Sequence, residues 1–227
     1  MIHDTSHVPP PGLLDELAEA DACFEQAPAS TVLEWAVDRF GVDLVAAASF
    51  QDVALIDLAV AVDPAVEVVF CDTEAHFDET LCFVEEVRAR YGLNLTVTHP
   101  GPEAAGVLCG STGCCEVRKV APLRRVLGAK RAWLTALKRC DAPTRANAPV
   151  VSWDATFGLV KVNPLATWSD DDVDAYVRDH HLPVHPLVAQ GYLSIGCAPT
   201  TRPVAAGEDR RAGRWAGSDK TECGLHR

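Results

Sequence analysis

Three separated groups of cysteine carry the chemistry available to this sequence. Near the end of the chain, Lys220-Thr221-Glu222-Cys223-Gly224-Leu225-His226 sets a thiol beside Lys220 and His226, with Arg214 nearby. A thiol on a terminal segment adds little to a core, whereas neighbouring positive charge stabilises its thiolate, so Cys223 reads as a nucleophile delivered to a substrate. Earlier, Cys114-Cys115 is followed by Arg118-Lys119. Adjacent residues on a helix point about 100° apart, so paired thiols gain little as core packing. Their other use is to hold zinc or an iron–sulfur cluster, with Cys197 in Ile195-Gly196-Cys197-Ala198-Pro199-Thr200 as a third ligand. Buried thiols without a metal fit the spacing equally well, and Cys109 and Cys140 have no assignment, either being able to supply a fourth thiolate if the fold brings it within bonding distance.

The charged residues point to an anionic ligand. With 32 acidic and 20 basic residues the net charge is −12, which argues against a nucleic-acid partner. Yet Arg118 to Arg145 holds nine basic residues and one acid, Asp141, whereas Met1 to Val117 holds three basic residues. A small multivalent anion is the expected partner of that cluster, and a solvated cationic helix face is the plain alternative. Arg202, Arg210, Arg211 and Arg214 outnumber Glu208 and Asp209, so the loop after Gly191 is expected to close over an anion. No basic segment followed by an apolar run opens the sequence, and no stretch approaches the roughly 20 apolar residues of a membrane span. The reading is a cytoplasmic protein without a membrane partner, whose nine cysteines are poor candidates for structural disulfides. A homo-oligomer is admitted.

The elements that must position these groups follow from hydrophobic periodicity. The 227 residues, 48% hydrophobic, suffice for one core, read as a domain over residues 1–200 with 201–227 as its functional loop and tail. A helix is expected over Leu13 to Ala20, and Thr31 with Glu34 forms a capping box for a second that ends before Gly41. Strand Leu44–Ala48, helix Val53–Val62, strand Val66–Cys71, helix Phe77–Tyr91 and strand Leu93–Thr98 then make a βαβαβ pattern. This is α/β: a doubly wound, mostly parallel sheet that binds ligands beyond the carboxyl ends of its strands. Two loops lie there. Ser49 in Ser49-Phe50-Gln51-Asp52 offers a hydroxyl to a phosphate, and Asp72 in Asp72-Thr73-Glu74 offers a carboxylate to a ribose or an amino group, though a helix cap and a turn residue explain them equally well. A helix from about Cys114 to Leu127, strands Ala132–Ala136 and Leu159–Val162, and a helix Asp170–Arg178 capped by Ser169 complete the pattern. His180 and His181 end that helix and take no catalytic role.

Gly113-Cys114-Cys115-Glu116-Val117-Arg118-Lys119-Val120, Ile195-Gly196-Cys197-Ala198-Pro199 and Glu222-Cys223-Gly224-Leu225-His226 together resemble the assimilatory, thioredoxin-dependent adenylyl-sulfate reductases of the phosphoadenylyl-sulfate/adenylyl-sulfate reductase family. The likeness extends through Asp141-Ala142-Pro143-Thr144-Arg145 and Leu159-Val160-Lys161-Val162-Asn163-Pro164, from roughly Val45 to the end. It implies an adenine nucleotide alpha hydrolase-like fold with a flexible C-terminal catalytic tail, and a 4Fe-4S cluster. It also implies reduction of adenylyl sulfate to sulfite and AMP by thioredoxin through a Cys223 thiosulfonate. By this resemblance Cys114, Cys115, Cys197 and position Thr200 hold the cluster, and Ser49 and Asp72 contact the nucleotide. Lys119, Lys138, Arg211 and Arg214 meet the phosphosulfate, and His226 tunes the thiol or positions the tail.

Four positions depart from the family pattern. Thr200 stands where a second cysteine completes Cys-x-x-Cys, and a threonine hydroxyl is a harder, less available ligand than a thiolate. Glu74 puts an acid where a glycine approaches the ligand. Ala136 and Lys138 replace glycine and arginine, and lysine lacks the bidentate guanidinium contact. The alternatives are a reductase for the 3′-phosphorylated substrate and a weakly active nucleotide-binding or iron–sulfur homologue. An ATP-using adenylating enzyme lacks support, because Ser49-Phe50-Gln51-Asp52 is not a glycine-rich pyrophosphate loop.

Overall fold

The computed structural model describes residues 8–216, 220 and 222–225, so His226 lies outside the described residues. The elements are α1 (Leu13–Phe24), α2 (Ala29–Phe40), β1 (Leu44–Ala48), α3 (Ala54–Val62), β2 (Glu67–Cys71), α4 (Asp78–Tyr91), β3 (Asn94–Thr98), α5 (Ala121–Leu127), β4 (Ala132–Thr135), β5 (Val151–Asp154), β6 (Leu159–Val162) and α6 (Asp170–Asp179). The strands form one sheet in the order β3-β2-β1-β4-β6-β5, parallel throughout except for β5, which pairs antiparallel with β6. The expected doubly wound α/β sheet is present, with its order reversing beside β1.

Both faces of the sheet are covered, and strand alternation assigns each side chain to one of them. Leu44 and Ala46 of β1, Val68 and Phe70 of β2, and Ala132 and Leu134 of β4 enter a large core shared with α1 to α4 and with Val173 of α6. Their neighbours Val45, Val69, Cys71 and Trp133 turn to the other face, where Leu123 and Leu127 of α5, Phe157, Leu159 and, from the far end of the chain, Leu225 cover them. The C-terminal segment is therefore part of the second core. No helix of the described residues is long and apolar enough to cross a membrane.

Several boundaries differ from expectation for identifiable reasons. Helix α2 starts at Ala29 with Pro28 at its cap, and Thr31 lies inside the first turn, so the Thr31 capping box does not form. Pro28 has the fixed φ and missing N–H that suit a helix start. The expected Ser169 cap does form at α6, as a full capping box in which the Ser169 hydroxyl accepts from the Asp172 amide at 3.1 Å and the Asp172 carboxylate accepts from the Ser169 amide at 2.8 Å. The helix after Cys114 is not continuous: Glu116–Val120 is a π turn leading into α5. Pro122 accounts for the break, since it lacks an N–H for the carbonyl four residues earlier and its ring crowds that carbonyl. Strand β5 escaped the sequence reading because it is a four-residue edge strand that follows a proline-rich stretch.

Glu74 also differs. Its φ is 56°, in the left-handed region that favours glycine. Its amide donates to Asp72 Oδ1 at 2.8 Å, and its exposed carboxylate turns out to Arg118 Nη1 at 3.5 Å. The acid is thus paired with a cleft-lining arginine, and Glu74 itself is not part of the cleft lining. Because a non-glycine residue held there costs about 1 kcal/mol and the exposed ion pair contributes little, Glu74→Gly is expected to raise the melting temperature by about 2 °C, read by calorimetry.

Candidate active site

The cleft opens at the carboxyl ends of β1, β2 and β4. Ser49 and Gln51 follow β1, Thr73 and His76 follow β2, and Ala136, Leu137 and Lys138 follow β4. The strands end at Ala48, Cys71 and Thr135, and the loops begin at Ser49, Asp72 and Ala136. The Ser49 loop is held by Gln51, whose Oε1 accepts from the Ile195 amide at 3.0 Å and so links the first loop to the Cys197 segment.

The Cys197 segment and the loop after it form the cleft's lid. Thr201 pairs with Arg214 in an isolated antiparallel bridge, and Trp215 N–H donates to Thr200 O at 2.8 Å. Gly196 leaves room for the Arg214 guanidinium, which a β-carbon there would strike. Arg214 donates to Ile195 O at 2.9 Å and lies 4.5 Å from the Trp215 ring centroid. Burial lowers its pKa, and the Arg211 charge lowers it further. Arg210 pins the lid to α6 through Asp174 at 3.0 Å and Asp170 at 3.4 Å. Arg202 pairs with Glu208 at 3.0 Å and is not part of the cleft lining.

The tail is seated inside this cleft. Glu222 accepts from Arg145 Nε at 2.7 Å and from Arg145 Nη2 at 2.6 Å, a bidentate pair with both side chains largely buried. Arg211 Nη2 stands 3.6 Å from the same carboxylate. Three residues on, Leu225 is 7% exposed in the second core. Between these anchors Cys223 faces the cleft lining. Burial raises its thiol pKa, but the Lys119 charge, a hydrogen bond from the Leu225 amide and the Arg214 charge together bring it below the ordinary value. The arrangement favours the thiolate form of Cys223 in a water-poor site.

The remaining thiols line one wall. Cys114 and Cys115 sulfurs are 3.9 Å apart, and Gly110 N–H donates to Cys114 Sγ at 3.3 Å. Cys197 Sγ lies 3.3 Å from Thr73 Oγ1. Lys220 reaches Cys115 Sγ at 3.0 Å, so it serves this wall where the sequence had set it beside Cys223. Cys109 joins the group: burial pushes its thiol up to about 12, and the Cys197, Cys114 and Cys115 thiols add to that shift. The wall's soft donor set fits an iron–sulfur cluster.

Of the residues singled out from the sequence, Ser49, Lys119, Lys138, Arg211, Arg214, Cys114, Cys115, Cys197, Thr200 and Cys223 line the cleft, while Asp72 does not. The Asp72 carboxylate is taken by the Glu74 amide and by His99 at 3.7 Å. Lys138 is buried and paired with Asp141 at 3.0 Å and Asp170 at 3.6 Å. The same contacts occupy the close group of Cys140, Asp141 and Asp170, whose carboxylates already face lysine and arginine. Thr200 directs its hydroxyl to Cys197 O at 3.3 Å. Arg145 was missed as an individual residue; it ends the basic run from Arg118, but the sequence does not show that its partner lies 77 positions away. Cys109 was left unassigned because nothing local places it beside Cys197.

Residues 43–203 match the phosphoadenosine phosphosulfate reductase domain family. A Rhodococcus opacus protein named adenosine 5′-phosphosulfate reductase is 43% identical over 235 residues, covering 95% of each chain. Among solved structures, the phosphoadenylyl-sulfate reductase of Candida auris in its phosphate complex superposes with a TM-score of 0.69 at 25% identity, over 83% of this chain and 97% of that one. Candida glabrata FMN adenylyltransferase superposes with a TM-score of 0.60 at 14% identity, over 84% of this chain and 72% of that one, a likeness of fold alone.

Two outcomes follow from the tail's anchors. Arg145→Ala leaves Glu222 without its bidentate partner, so the tail should undock and alkylation of Cys223 at pH 9 should accelerate on the order of tenfold, read by mass spectrometry of the Cys223 peptide. Lys119→Met removes the largest charge that lowers the Cys223 pKa. The inflection of alkylation rate against pH should then move to higher pH, because thiolate forms only at lower proton concentration; an unmoved inflection would assign the activation elsewhere.

Proposed function

The chain belongs to the phosphoadenosine phosphosulfate reductase domain family, and on that premise we propose that it reduces adenylyl sulfate to sulfite and AMP in assimilatory sulfate reduction, with thioredoxin as the electron donor. One observation carries the reading: Cys223 is held in a nucleotide-sized cleft at the sheet's switch point, where Lys119 and Arg214 favour its thiolate. An adenine nucleotide would lie over the carboxyl ends of β1 and β4, its phosphate near the Ser49 loop and its sulfate toward Cys223.

The reaction then balances on thiols. The Cys223 thiolate attacks the sulfate sulfur, the bond from that sulfur to the phosphate oxygen breaks, and AMP leaves with the electron pair. Negative charge grows on the departing phosphate oxygen, where Lys119, Arg211 and Arg214 offset it in a site that excludes water. A thioredoxin thiolate attacks Cys223 Sγ in the resulting thiosulfonate and expels sulfite. The second thioredoxin thiol then frees Cys223 and forms the thioredoxin disulfide. Two electrons leave the dithiol and two reduce the sulfur. Cys114, Cys115 and Cys197 would hold a 4Fe-4S cluster, which when bound supplies a charged, polarisable wall beside Lys119. The tail must leave the cleft for thioredoxin to reach Cys223, and the arginine and leucine anchors set how readily it does so.

The test is sulfite release from adenylyl sulfate, and from its 3′-phosphorylated form, with reduced thioredoxin. Turnover should favour the first substrate. Cys223→Ser should abolish sulfite release while leaving AMP affinity within about twofold, by calorimetry; sulfite still made at the wild-type rate would overturn the mechanism.

A further inference from the structure

We infer that Cys109 completes a four-thiolate metal centre with Cys114, Cys115 and Cys197, in the place that Thr200 leaves unfilled. The inference rests on the cluster reading above and concerns which side chains of this chain hold the cluster.

Four thiols converge on one wall of the cleft from two distant segments, 109–115 and 197. The loop carrying Cys109 is tied to the paired cysteines, since its next residue, Gly110, donates its amide to Cys114 Sγ at 3.3 Å. On its other side the Cys109 thiol lines the same wall as the Cys197 thiol, near enough that the charge of one bears on the other. The same loop packs directly on residue 200. Gly110 sits at φ 93°, and a β-carbon there would stand 3.0 Å from Thr200 Cγ2. Thr200 thus presents its methyl group to the Cys109 loop while its hydroxyl donates to the Cys197 carbonyl at 3.3 Å. It has no oxygen aimed at the thiols, whereas the segment pressed against it brings a sulfur.

The spacing selects the kind of centre. Among the described residues no three of these sulfurs lie within 4.8 Å of one another. A tetrahedral zinc ion with bonds of about 2.3 Å draws its four sulfurs to about 3.8 Å apart. The Cys114–Cys115 pair, at 3.9 Å, has that spacing but no third sulfur joins it, so the four thiols as arranged suit a cluster, whose several irons stand between the ligands, better than one ion. Lys220 at 3.0 Å from Cys115 offsets part of the negative charge that four thiolates bring.

Wild type, Cys109→Ser, Thr200→Cys and the double variant Cys109→Ser/Thr200→Cys would be purified without oxygen, with iron, acid-labile sulfide and visible absorption measured for each and folding checked by circular dichroism. Wild type and Thr200→Cys should carry roughly four irons and four sulfides per chain. Cys109→Ser should lose iron at least about fourfold, and the double variant should recover the wild-type content, because the cysteine restored at position 200 replaces the one removed. Wild-type iron and spectrum in Cys109→Ser would overturn the assignment and leave the cluster reading standing. Iron lost from both the single and double variants, with the fold intact, would mark Cys109 as a loop residue and also overturn it. Wild type without iron after reconstitution, or with a Cys109–Cys197 disulfide in its place, would overturn the cluster reading and the assignment together.

Discussion

The bidentate pair between Arg145 and Glu222 fixes where the reactive sulfur lies, and most of the site's geometry depends on it. Arg145 is held from behind by Asp141 at 2.9 Å, and Asp141 in turn holds Lys138 at 3.0 Å, so one chain of charges runs from the end of β4 to the tail. Leu225 supplies the second anchor by filling a gap that the sheet's second face leaves beside Trp133 and Leu159. Burying a leucine contributes about 2 kcal/mol, and a desolvated charge pair a few more. Against this stands roughly 1 kcal/mol or more of backbone entropy for each tail residue fixed. The two sides are of similar size. A balance this close lets the tail dock and leave, which the proposed reaction, with its nucleotide and its protein reductant, calls for.

A chain of net charge −12 must still attract an anion. It does so by pairing most of its cleft cations internally and leaving positive charge where it is needed. Lys138, Arg145 and Arg210 face carboxylates, and their charge goes into holding loops together. Arg214 instead spends its guanidinium on a carbonyl and an aromatic face, and Lys119 has no carboxylate within ion-pair distance among the described residues. These two are the charges that, with the Leu225 amide, lower the Cys223 pKa. The cations that organise the site and the cations that act on the sulfur are thus different residues, although in the sequence they belong to the same basic runs.

That distinction marks the limit of what the sequence makes legible. Parallel strands buried on both faces are written locally, in the apolar runs Leu44–Ala48 and Glu67–Cys71, so β1 and β2 and the loops after them were readable. The paired thiols, Cys197 and Cys223 were readable too, because cysteine beside cations has few uses in a reduced core. Pairings across the fold were not. Nothing near Lys138 says that Asp170 reaches it, nothing near Lys220 assigns it to Cys115, and Asp72 looks like a ligand contact until its carboxylate is seen capping the Glu74 turn. The π turn was hidden for a related reason: the periodicity from Cys114 to Leu127 is helical, and Pro122 alone records the break.

The thiol wall shows how a long-range constraint can move between segments without changing the fold. With cysteines at 197 and 200, a cluster would grip the lid loop twice and the segment before α5 twice. With the fourth thiolate drawn from Cys109, three ligands come from 109–115 and one from the lid. The lid, which also carries Arg214 against Gly196 and Trp215 against Thr200, is then tied to the metal centre by a single sulfur, with hydrogen bonds and the Arg210 ion pairs supplying the rest. A loop held by one strong bond and several weak ones opens more readily than a loop held by two strong bonds. On the proposed ligand set, threonine in place of cysteine at position 200 would thus shift restraint from the lid to the opposite side of the cleft, while four sulfurs still face the same wall.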